Sequence, residues 1–174
     1  IIIEELINIP KINLRGNIND KEFTRNTGII LNALLPIESN IRVINNDLQI
    51  IWLSPDEWLI QFDTQDKFKE VLKKLQSQLN PQNTSTTDIS DNKTIIKIRG
   101  DNLYKLLAKF MIINLDEALK LDCSVAQTIF SKIPILIVRQ HKNNNEPCVD
   151  IHVNRSHTNY LYNILVDGTK NFDF

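Results

Sequence analysis

The chain has 174 residues, 42% of them hydrophobic and 24% charged, with a formal net charge of −1 at pH 7. These values fit a globular protein that buries a core without disulfides or metal, and they predict no binding to nucleic acid or to an anionic membrane surface. No apolar run approaches the roughly 18 residues of a membrane-spanning helix. The first residues lack the cationic segment of a secretory signal, so a cytoplasmic location is expected.

Two stretches of the chain share one pattern, an alternating strand that ends in Arg-Gly. Lys11–Asn17 reads KINLRGN and Ile95–Asp101 reads IIKIRGD, so Gly16 corresponds to Gly100, 84 residues further along. Glycine at the end of a strand is expected to supply either a positive φ or a close approach to the backbone. The repeated motif predicts that the chain is a duplication of one structural unit.

Each of these strands is followed by residues with the spacing of an amphipathic helix. The apolar positions recur three and four residues apart, which places them on one face of a helix that covers a sheet. They are Phe23, Ile30, Leu31, Leu34 and Leu35 in the first copy, and Leu103, Leu106, Leu107 and Phe110 in the second.

A β-hairpin is predicted next in each copy. In the first copy, Gln49–Phe62 reads QIIWLSPDEWLIQF, in which Pro55 favours a turn and the two arms carry Trp52 and Trp58. Burying one tryptophan ring removes about 150–250 Å² from solvent, which is worth at most roughly 4–6 kcal/mol. This hairpin is therefore predicted to anchor either the core or a partner protein.

The second hairpin, Ile133–Val153, corresponds to the first at the same offset. Its arms are Ile133–Arg139 and Cys148–Val153, and a wider polar loop joins them. A further amphipathic helix is predicted after each hairpin, at Asp66–Leu79 and at Ser156–Val166.

The order of these elements defines the predicted fold class, which is α+β. Two similar β-α-β-β-α halves are expected, each with an antiparallel sheet covered by helices. The halves are residues 1–83 and 84–174, and the polar tract Asn80–Thr87 connects them. We expect them to pack together as one compact subunit.

Side chains with catalytic or metal-binding chemistry are scattered along the sequence. Glycine occurs only at positions 16, 28, 100 and 168, so a glycine-rich phosphate loop is excluded, and no G-x-S-x-G or H-E-x-x-H motif occurs. His141, His152 and His157 are predicted to be ordinary surface or half-buried side chains. Cys123 and Cys148 are predicted to be buried free thiols, with a disulfide or a metal pair as the alternative.

Further polar groups are predicted to have structural roles. Asp88 and Asp91 bracket the sequence DISD, where Asx-turn capping is expected. Arg15 and Arg99 end matching strands, and we expect salt bridges within the fold, with anion binding as the alternative. The residues thus predict no catalytic group, no cofactor-binding group and no metal ligand in this chain.

The order of motifs resembles that of the gamma subunit family of heterotetrameric sarcosine oxidase. That family carries W-L-G-P-D-E-W-L, matched here from Trp52 to Leu59, and D-x-S-x-x-(R/K)-T-x-x-x-(I/L)-x-G, matched from Asp88 to Gly100. Weaker matches extend the resemblance over nearly the whole chain, at Leu14-Arg15-Gly16, Met111–Leu115, Cys123–Thr128 and Arg155–Leu161. Ser54 departs from the family's usual glycine, and Lys93 stands near a position where other members carry Arg.

The resemblance implies a fold similar to the folate-binding domain of the glycine-cleavage aminomethyltransferase. It also implies a complex that oxidises sarcosine to glycine, passing the methyl carbon to tetrahydrofolate and electrons through flavins to oxygen. FAD, FMN, NAD and tetrahydrofolate would be bound by larger alpha and beta subunits, beside a small delta subunit. This chain would serve assembly and carry no cofactor.

Contact with these subunits is expected at the hairpin turn and at the aromatic chain end. The candidate residues are Trp52, Pro55, Asp56, Glu57, Trp58, Phe172 and Phe174. Two other functions stay open. One is the small subunit of an N-methylglutamate dehydrogenase-like complex, and the other is a folate-binding one-carbon protein in which Asp88, Tyr104 and Arg99 hold a pterin and its glutamyl tail.

Overall fold

The computed structural model describes residues 1–142 and 145–170, and within it the chain divides into two compact units. The first unit is Asn8–Asp91, and the second unit joins Ile1–Ile7 to the chain from Asn92 onward. The strands are β1 (Ile2–Leu6), β2 (Lys11–Arg15), β3 (Arg42–Asn45), β4 (Leu48–Ser54), β5 (Glu57–Phe62), β6 (Ser85–Asp88), β7 (Lys93–Arg99), β8 (Val125–Phe130), β9 (Ile133–Arg139) and β10 (Cys148–Asn154). The helices are α1 (Lys21–Leu31), α2 (Gln65–Gln78), α3 (Leu103–Ala108), α4 (Leu115–Ala118) and α5 (Thr158–Thr169).

Each unit holds one five-stranded antiparallel sheet, and the two sheets have the same strand order. The order is β3-β4-β5-β2-β6 in the first unit and β8-β9-β10-β7-β1 in the second. The two strands with the Arg-Gly motif, β2 and β7, occupy the same position in their sheets. The predicted α+β class with two similar halves is confirmed.

The last strand of each sheet lies outside the predicted half. β1 directly precedes β2 in the chain but pairs with β7, and β6 directly precedes β7 but pairs with β2. The predicted halves, 1–83 and 84–174, therefore differ from the observed units by one edge strand each. The tract Asn80–Thr87, which was predicted as a connector, includes the start of β6.

Helices α1 and α2 cover one face of the first sheet. The ring of Trp58 packs against that of Phe23 at a centroid distance of 6.0 Å, and Phe62 meets Phe68 edge-on at 5.7 Å. Aromatic pairs in this geometry contribute beyond the area that they bury. The rest of this core is aliphatic, and it includes Ile12, Leu14, Ile30, Leu31, Ile50, Ile60, Val71 and Leu75.

Helices α3, α4 and α5 cover the corresponding face of the second sheet. Ile98 pairs with Val149 across β7 and β10, as Leu14 pairs with Trp58 across β2 and β5. All four of these side chains are fully buried. The second core is larger in residue number but more aliphatic, and it adds Ile96, Leu103, Leu106, Leu107, Ile137, Ile151, Leu161 and Leu165.

The two motif glycines close their sheets in the same way. The backbone N–H of Gly16 donates to the carbonyl of Asp56 at 3.1 Å, and that of Gly100 donates to the carbonyl of Pro147 at 3.0 Å. Asp56 and Pro147 each directly precede the second strand of a hairpin. This shared hydrogen bond links the Arg-Gly motif to the hairpin in both units, although the two hairpin loops differ in length.

Candidate partner interface

The β4–β5 turn presents Pro55 and Asp56 to solvent. The Ser54 hydroxyl donates to Asp56 Oδ1 at 2.6 Å. This hydrogen bond, helped by the positive charge of Arg15, holds the pKa of the Asp56 carboxyl below its ordinary value of 3.8. The turn is therefore a small anionic projection that its own serine fixes in place.

The Glu57 carboxylate contacts the neighbouring strand β2. Its Oε1 accepts a hydrogen bond from Asn13 Nδ2 at 2.7 Å, and its Oε2 lies 3.6 Å from Arg15 Nη2. The salt bridge predicted for Arg15 is confirmed. Glu57 thus stabilises the β2–β5 pair, whereas Asp56 remains exposed.

The two tryptophans have different environments. Trp58 is fully buried, and its indole N–H donates to the carbonyl of Pro36 at 2.8 Å. Its assignment to a partner surface is wrong, because the ring fills the core of the first unit. Trp52 is half-buried, and its indole N–H has no hydrogen-bond partner among the described residues. Of the pair, only Trp52 stays a candidate for partner contact, while Phe172 and Phe174 lie outside the described residues.

The DISD segment forms the predicted turn. Asp88 Oδ1 accepts from the backbone N–H of Ser90 at 2.9 Å and from its hydroxyl at 2.6 Å. Ser90 Oγ in turn accepts from the backbone N–H of Lys11 at 3.0 Å. The Asp88 carboxylate is therefore engaged in an Asx turn that fastens the end of β6 to β2.

Tyr104, His141 and Cys148 lie close together in the second unit. His141 Nδ1 lies 2.9 Å from the carbonyl and 3.0 Å from the backbone nitrogen of Cys148, and its Nε2 lies 3.5 Å from the Tyr104 hydroxyl. Burial, and then the charge of Asp150, raises the pKa of the Cys148 thiol above its ordinary value. The thiol is thus held protonated, which is the opposite of the activation that a nucleophilic cysteine needs.

The environments of the cysteines and histidines match the predictions only in part. Cys123 and Cys148 are free thiols, as predicted, but both are partly exposed instead of buried. His141 is half-buried and His157 is exposed, as expected. His152 is fully buried, so its prediction is wrong; it alternates with Ile151 and Val153 along β10, and the opposite face of the strand is buried as well.

Arg139 is a buried cation with a structural role. Its guanidinium donates to the carbonyls of Leu119 at 2.7 Å, Lys120 at 3.0 Å and His141 at 3.0 Å, and it lies 3.2 Å from Asp122 Oδ1. Carbonyls at a chain reversal need such donors when they are buried. Arg139 thereby fastens the segment after α4 to β9.

An open apolar groove of about 810 Å³ runs along the outer face of α1. We define the α1 groove by its apolar residues Ile18, Ile29, Ala33 and Leu34, its cations Lys21 and Arg25, its uncharged polar residues Thr24 and Asn32, and Gly28. Ile29 is 67% exposed and Leu34 is 75% exposed. Neighbouring exposed apolar side chains of this size are typical of an interaction surface.

The exposure of Leu34 corrects its predicted place on the buried face of the first helix. The helix ends at Leu31, and Asn32 adopts a left-handed conformation with φ 49° and ψ 37°. This cap reverses the chain direction, so the helical spacing of three and four residues no longer applies to Leu34. The sequence offers one signal that the helix ends here. Apart from glycine, asparagine is among the residues that most readily adopt the left-handed conformation.

A second groove, of about 610 Å³, lies beside α5 in the second unit. Its lining includes Phe110, Tyr160 and Ile164, together with the opposite charges of Lys109 and Asp167. Lys109 Nζ donates to the carbonyl of Gly168 at 2.9 Å, so its ammonium is engaged within the unit. The charges of this groove are balanced, unlike those of the α1 groove.

Among residues 1–142 and 145–170, no three His, Cys, Asp or Glu side chains lie close enough together to hold a metal ion. Over the same part of the chain, no helix combines the length and the apolar character that crossing a bilayer takes.

Solved structures with the same fold include one subunit of an oxidase and an aminomethyltransferase. The chain matches the heterotetrameric sarcosine oxidase from Corynebacterium sp. U-96 in complex with pyrrole 2-carboxylate with a TM-score of 0.83 and 19% identity, over 99% of this chain and 85% of that one. It matches the glycine cleavage system aminomethyltransferase T from Bartonella henselae with a TM-score of 0.65 and 14% identity, over 94% of this chain and 45% of that one. The regulatory subunit of aspartate kinase from Thermus thermophilus, in its ligand-free form, gives 0.53 and 11%, over 97% of both chains.

These likenesses place the chain among α+β proteins that share the fold of one part of the aminomethyltransferase. No curated protein sequence matches it. The sequence profile of the sarcosine oxidase, gamma subunit family matches residues 15–171. The chain belongs to the sarcosine oxidase gamma subunit family.

Proposed function

We propose that this chain is a structural subunit of a heterotetrameric sarcosine oxidase, which acts in assembly and takes no part in the chemistry. The observation that carries the proposal is the family match over residues 15–171. The exposed apolar α1 groove supports it, because a subunit that acts through contact needs surface of this kind.

Several side chains of reactive type are engaged within the fold, which supports a non-catalytic role. The Asp88 carboxylate is engaged in its own Asx turn, and the imidazole of His141 is engaged by the backbone of Cys148. The guanidinium of Arg139 binds buried carbonyls. A catalytic acid, base or nucleophile instead has a free atom within reach of a substrate.

The proposed partners are larger alpha and beta subunits and a small delta subunit in the cytoplasm. The larger subunits would bind FAD, FMN, NAD and tetrahydrofolate. They would oxidise sarcosine to glycine, pass the methyl carbon to tetrahydrofolate and send the electrons through the flavins to oxygen. The substrate would be recognised in those subunits, so the residues of this chain do not distinguish sarcosine from N-methylglutamate.

The experiment is to co-express the chain with the alpha, beta and delta subunits of its organism and to measure amine oxidation by the purified complex. We expect turnover of sarcosine by the complex and no turnover of any amine by the chain alone. Turnover of N-methylglutamate in place of sarcosine would assign the complex to the related dehydrogenase. Bound flavin or amine turnover in the isolated chain would contradict the proposal.

A matched binding experiment tests the folate alternative. Tetrahydrofolate is titrated into the isolated chain while the tryptophan fluorescence is recorded. Because Asp88 is engaged in its own turn, we expect no saturable quenching. Binding tighter than about 100 μM, which corresponds to about −5.5 kcal/mol, would instead favour a folate-binding protein.

A further inference from the structure

Gly28 occupies the middle of α1, where the fold of the first unit does not need a glycine. A Cβ built on Gly28 would meet only the carbonyl oxygen of Ala33, at 4.0 Å, which is ordinary van der Waals contact. Glycine is also a poorer helix former than alanine at such a position. Gly28 therefore meets no packing need of the first unit, and on the outer side of the helix it lines the α1 groove.

The two cations of the α1 groove lie in one stripe along the helix together with Thr24 and Gly28. Lys21, Thr24, Arg25 and Gly28 follow one another at three- and four-residue spacing, which places them on a single face. The opposite face carries the buried residues Phe23, Thr27, Ile30 and Leu31. Of the apolar residues of the groove, Ile18 and Ala33 also pack against the core, whereas Ile29 and Leu34 do not, so the outer part of the groove is available to a partner.

The charge of the α1 groove has one sign. Lys21 and Arg25 lie one helical turn apart, and neither forms an ion pair with another described residue. The groove's lining, drawn from the same described part of the chain, contains no carboxylate. An occupant that carries carboxylates beside its apolar side chains would match both the cations and the apolar floor.

We propose that the α1 groove binds an acidic amphipathic segment of a larger subunit, whose backbone approaches α1 closely over Gly28. The apolar side chains of that segment would contact Ile29 and Leu34, and its carboxylates would pair with Lys21 and Arg25. Gly28 admits the close approach because it has no side chain, as small residues do at other helix contacts. This inference rests on the proposed function, since it names the surface through which the chain joins its complex.

Three groove variants test the proposal in the full complex. Gly28→Leu fills the floor, Leu34→Asp places a charge in the apolar part, and the double change Lys21→Glu and Arg25→Glu reverses the cations. The matched controls are Ile112→Asp, at a fully exposed apolar residue of the second unit, and Lys73→Glu, at an exposed lysine of α2. Circular dichroism and thermal unfolding of each isolated variant establish that it is folded.

The measurement is the Kd of each variant for the purified larger subunits at several salt concentrations. We expect each groove variant to bind about tenfold more weakly or worse, as for residues at the centre of an interface, and each control to bind like the wild type. The affinity of the wild type should fall with added salt, and that of the charge-reversed variant should fall less.

The outcomes separate this inference from the proposed function. If the wild type binds and all three groove variants bind equally well, the groove proposal is overturned while the proposed function stands. If the wild type fails to bind the larger subunits, both are overturned. A folded Gly28→Ala variant, which adds one methyl group, should unfold at a higher temperature than the wild type yet bind more weakly, and a purely structural glycine would not give this combination.

Discussion

The two units reach the same strand order with different local packing, and their motif glycines make the difference plain. Gly16 must lack a side chain because a Cβ would lie 2.4 Å from the ring of Phe23. Gly100 has φ +132°, a conformation that other residues rarely adopt, and a Cβ there would lie 3.0 Å from the Cα of Ile1. One sequence motif thus serves two physical needs, ring packing in the first unit and backbone conformation in the second.

The two units also differ in their cores, their hairpin turns and their helix caps. The first unit has an aromatic core around Trp58 and a tight hairpin turn, and the side chains of Asp20 and Thr64 cap its two helices. In the second unit, the corresponding core position is Val149, and neither α3 nor α5 has a side-chain hydrogen bond at its cap. We therefore expect the stability of the first unit to depend on a few large or polar side chains, and that of the second on many aliphatic ones.

The largest expected effect is at Trp58. Trp58→Ala should cost about 3–5 kcal/mol of unfolding free energy, because it leaves a cavity beside Phe23 and removes the hydrogen bond to Pro36. Val149→Ala, at the corresponding position of the second unit, should cost about 1.5–3 kcal/mol. Urea unfolding of the two variants measures both values. Equal losses would show that the two cores do not differ in the way described.

Substitution of the motif glycines, Gly16 and Gly100, should have the next largest effect on the unfolding free energy. Gly16→Ala should cost about 1–3 kcal/mol through overpacking against Phe23, and Gly100→Ala about the same through backbone strain. The two costs are distinguished by Phe23→Leu, which removes the ring that Gly16 accommodates. In that background the cost of Gly16→Ala should fall by about 1 kcal/mol or more, whereas that of Gly100→Ala should not change. A double-mutant cycle without coupling at Gly16 would refute the ring-packing explanation.

Substitution of the residues that precede α1 and α3 should give a smaller difference in unfolding free energy. Asp20 Oδ1 accepts hydrogen bonds from the backbone N–H groups of Glu22 and Phe23, so Asp20→Ala should cost about 1 kcal/mol. Asn102 precedes α3 without a side-chain hydrogen bond, so Asn102→Ala should stay within about 0.5 kcal/mol of the wild type. Thermal unfolding of both variants checks this, and a larger loss at Asn102 would mean that its side chain has a role that the backbone of α3 does not explain.

The smallest expected effect on stability comes from the ionisation of Asp56. Its pKa is lowered in the folded state, so its contribution to stability is present above the ordinary value of 3.8 and is lost as the pH falls through the lowered value. NMR titration of the Asp56 carboxyl measures the shift. In Ser54→Ala the pKa should rise towards 3.8, because the hydroxyl is the largest cause of the shift. An unchanged pKa in that variant would assign the shift to Arg15 instead.

Patterns of buried apolar residues were sufficient to predict the central strands, the helices α1, α2, α3 and α5, and the duplication, whereas the one-turn helix α4 was not predicted. The edge strands β1, β3, β6 and β8 escaped the prediction because a short strand on a sheet edge has a weak alternating pattern. In addition, β1 and β6 pair with strands far along the chain. β6, for example, reads STTD and pairs with β2. The boundary of the units followed from those pairs, so it could not be read from the sequence.

The candidate interface was only partly predictable for a related reason. Trp52 and Trp58 pair across the hairpin, yet only the three-dimensional structure shows that Trp58 is buried against Phe23 of α1 and that Trp52 is half-buried. The α1 groove depends on the helix ending at Leu31 and on the exposure of Leu34, both of which follow from the left-handed Asn32. A spacing rule that assumes a continuous helix places Leu34 in the core instead.

The mass of the complex formed in solution tests the central claim most directly. The chain, co-expressed with the alpha, beta and delta subunits, is analysed by size-exclusion chromatography with light scattering. We predict that it elutes in an equimolar complex with the flavin-containing subunits, and that Leu34→Asp shifts it out of that peak while Ile112→Asp does not. Elution of the wild-type chain on its own, apart from a complex that the other subunits form without it, would contradict the account.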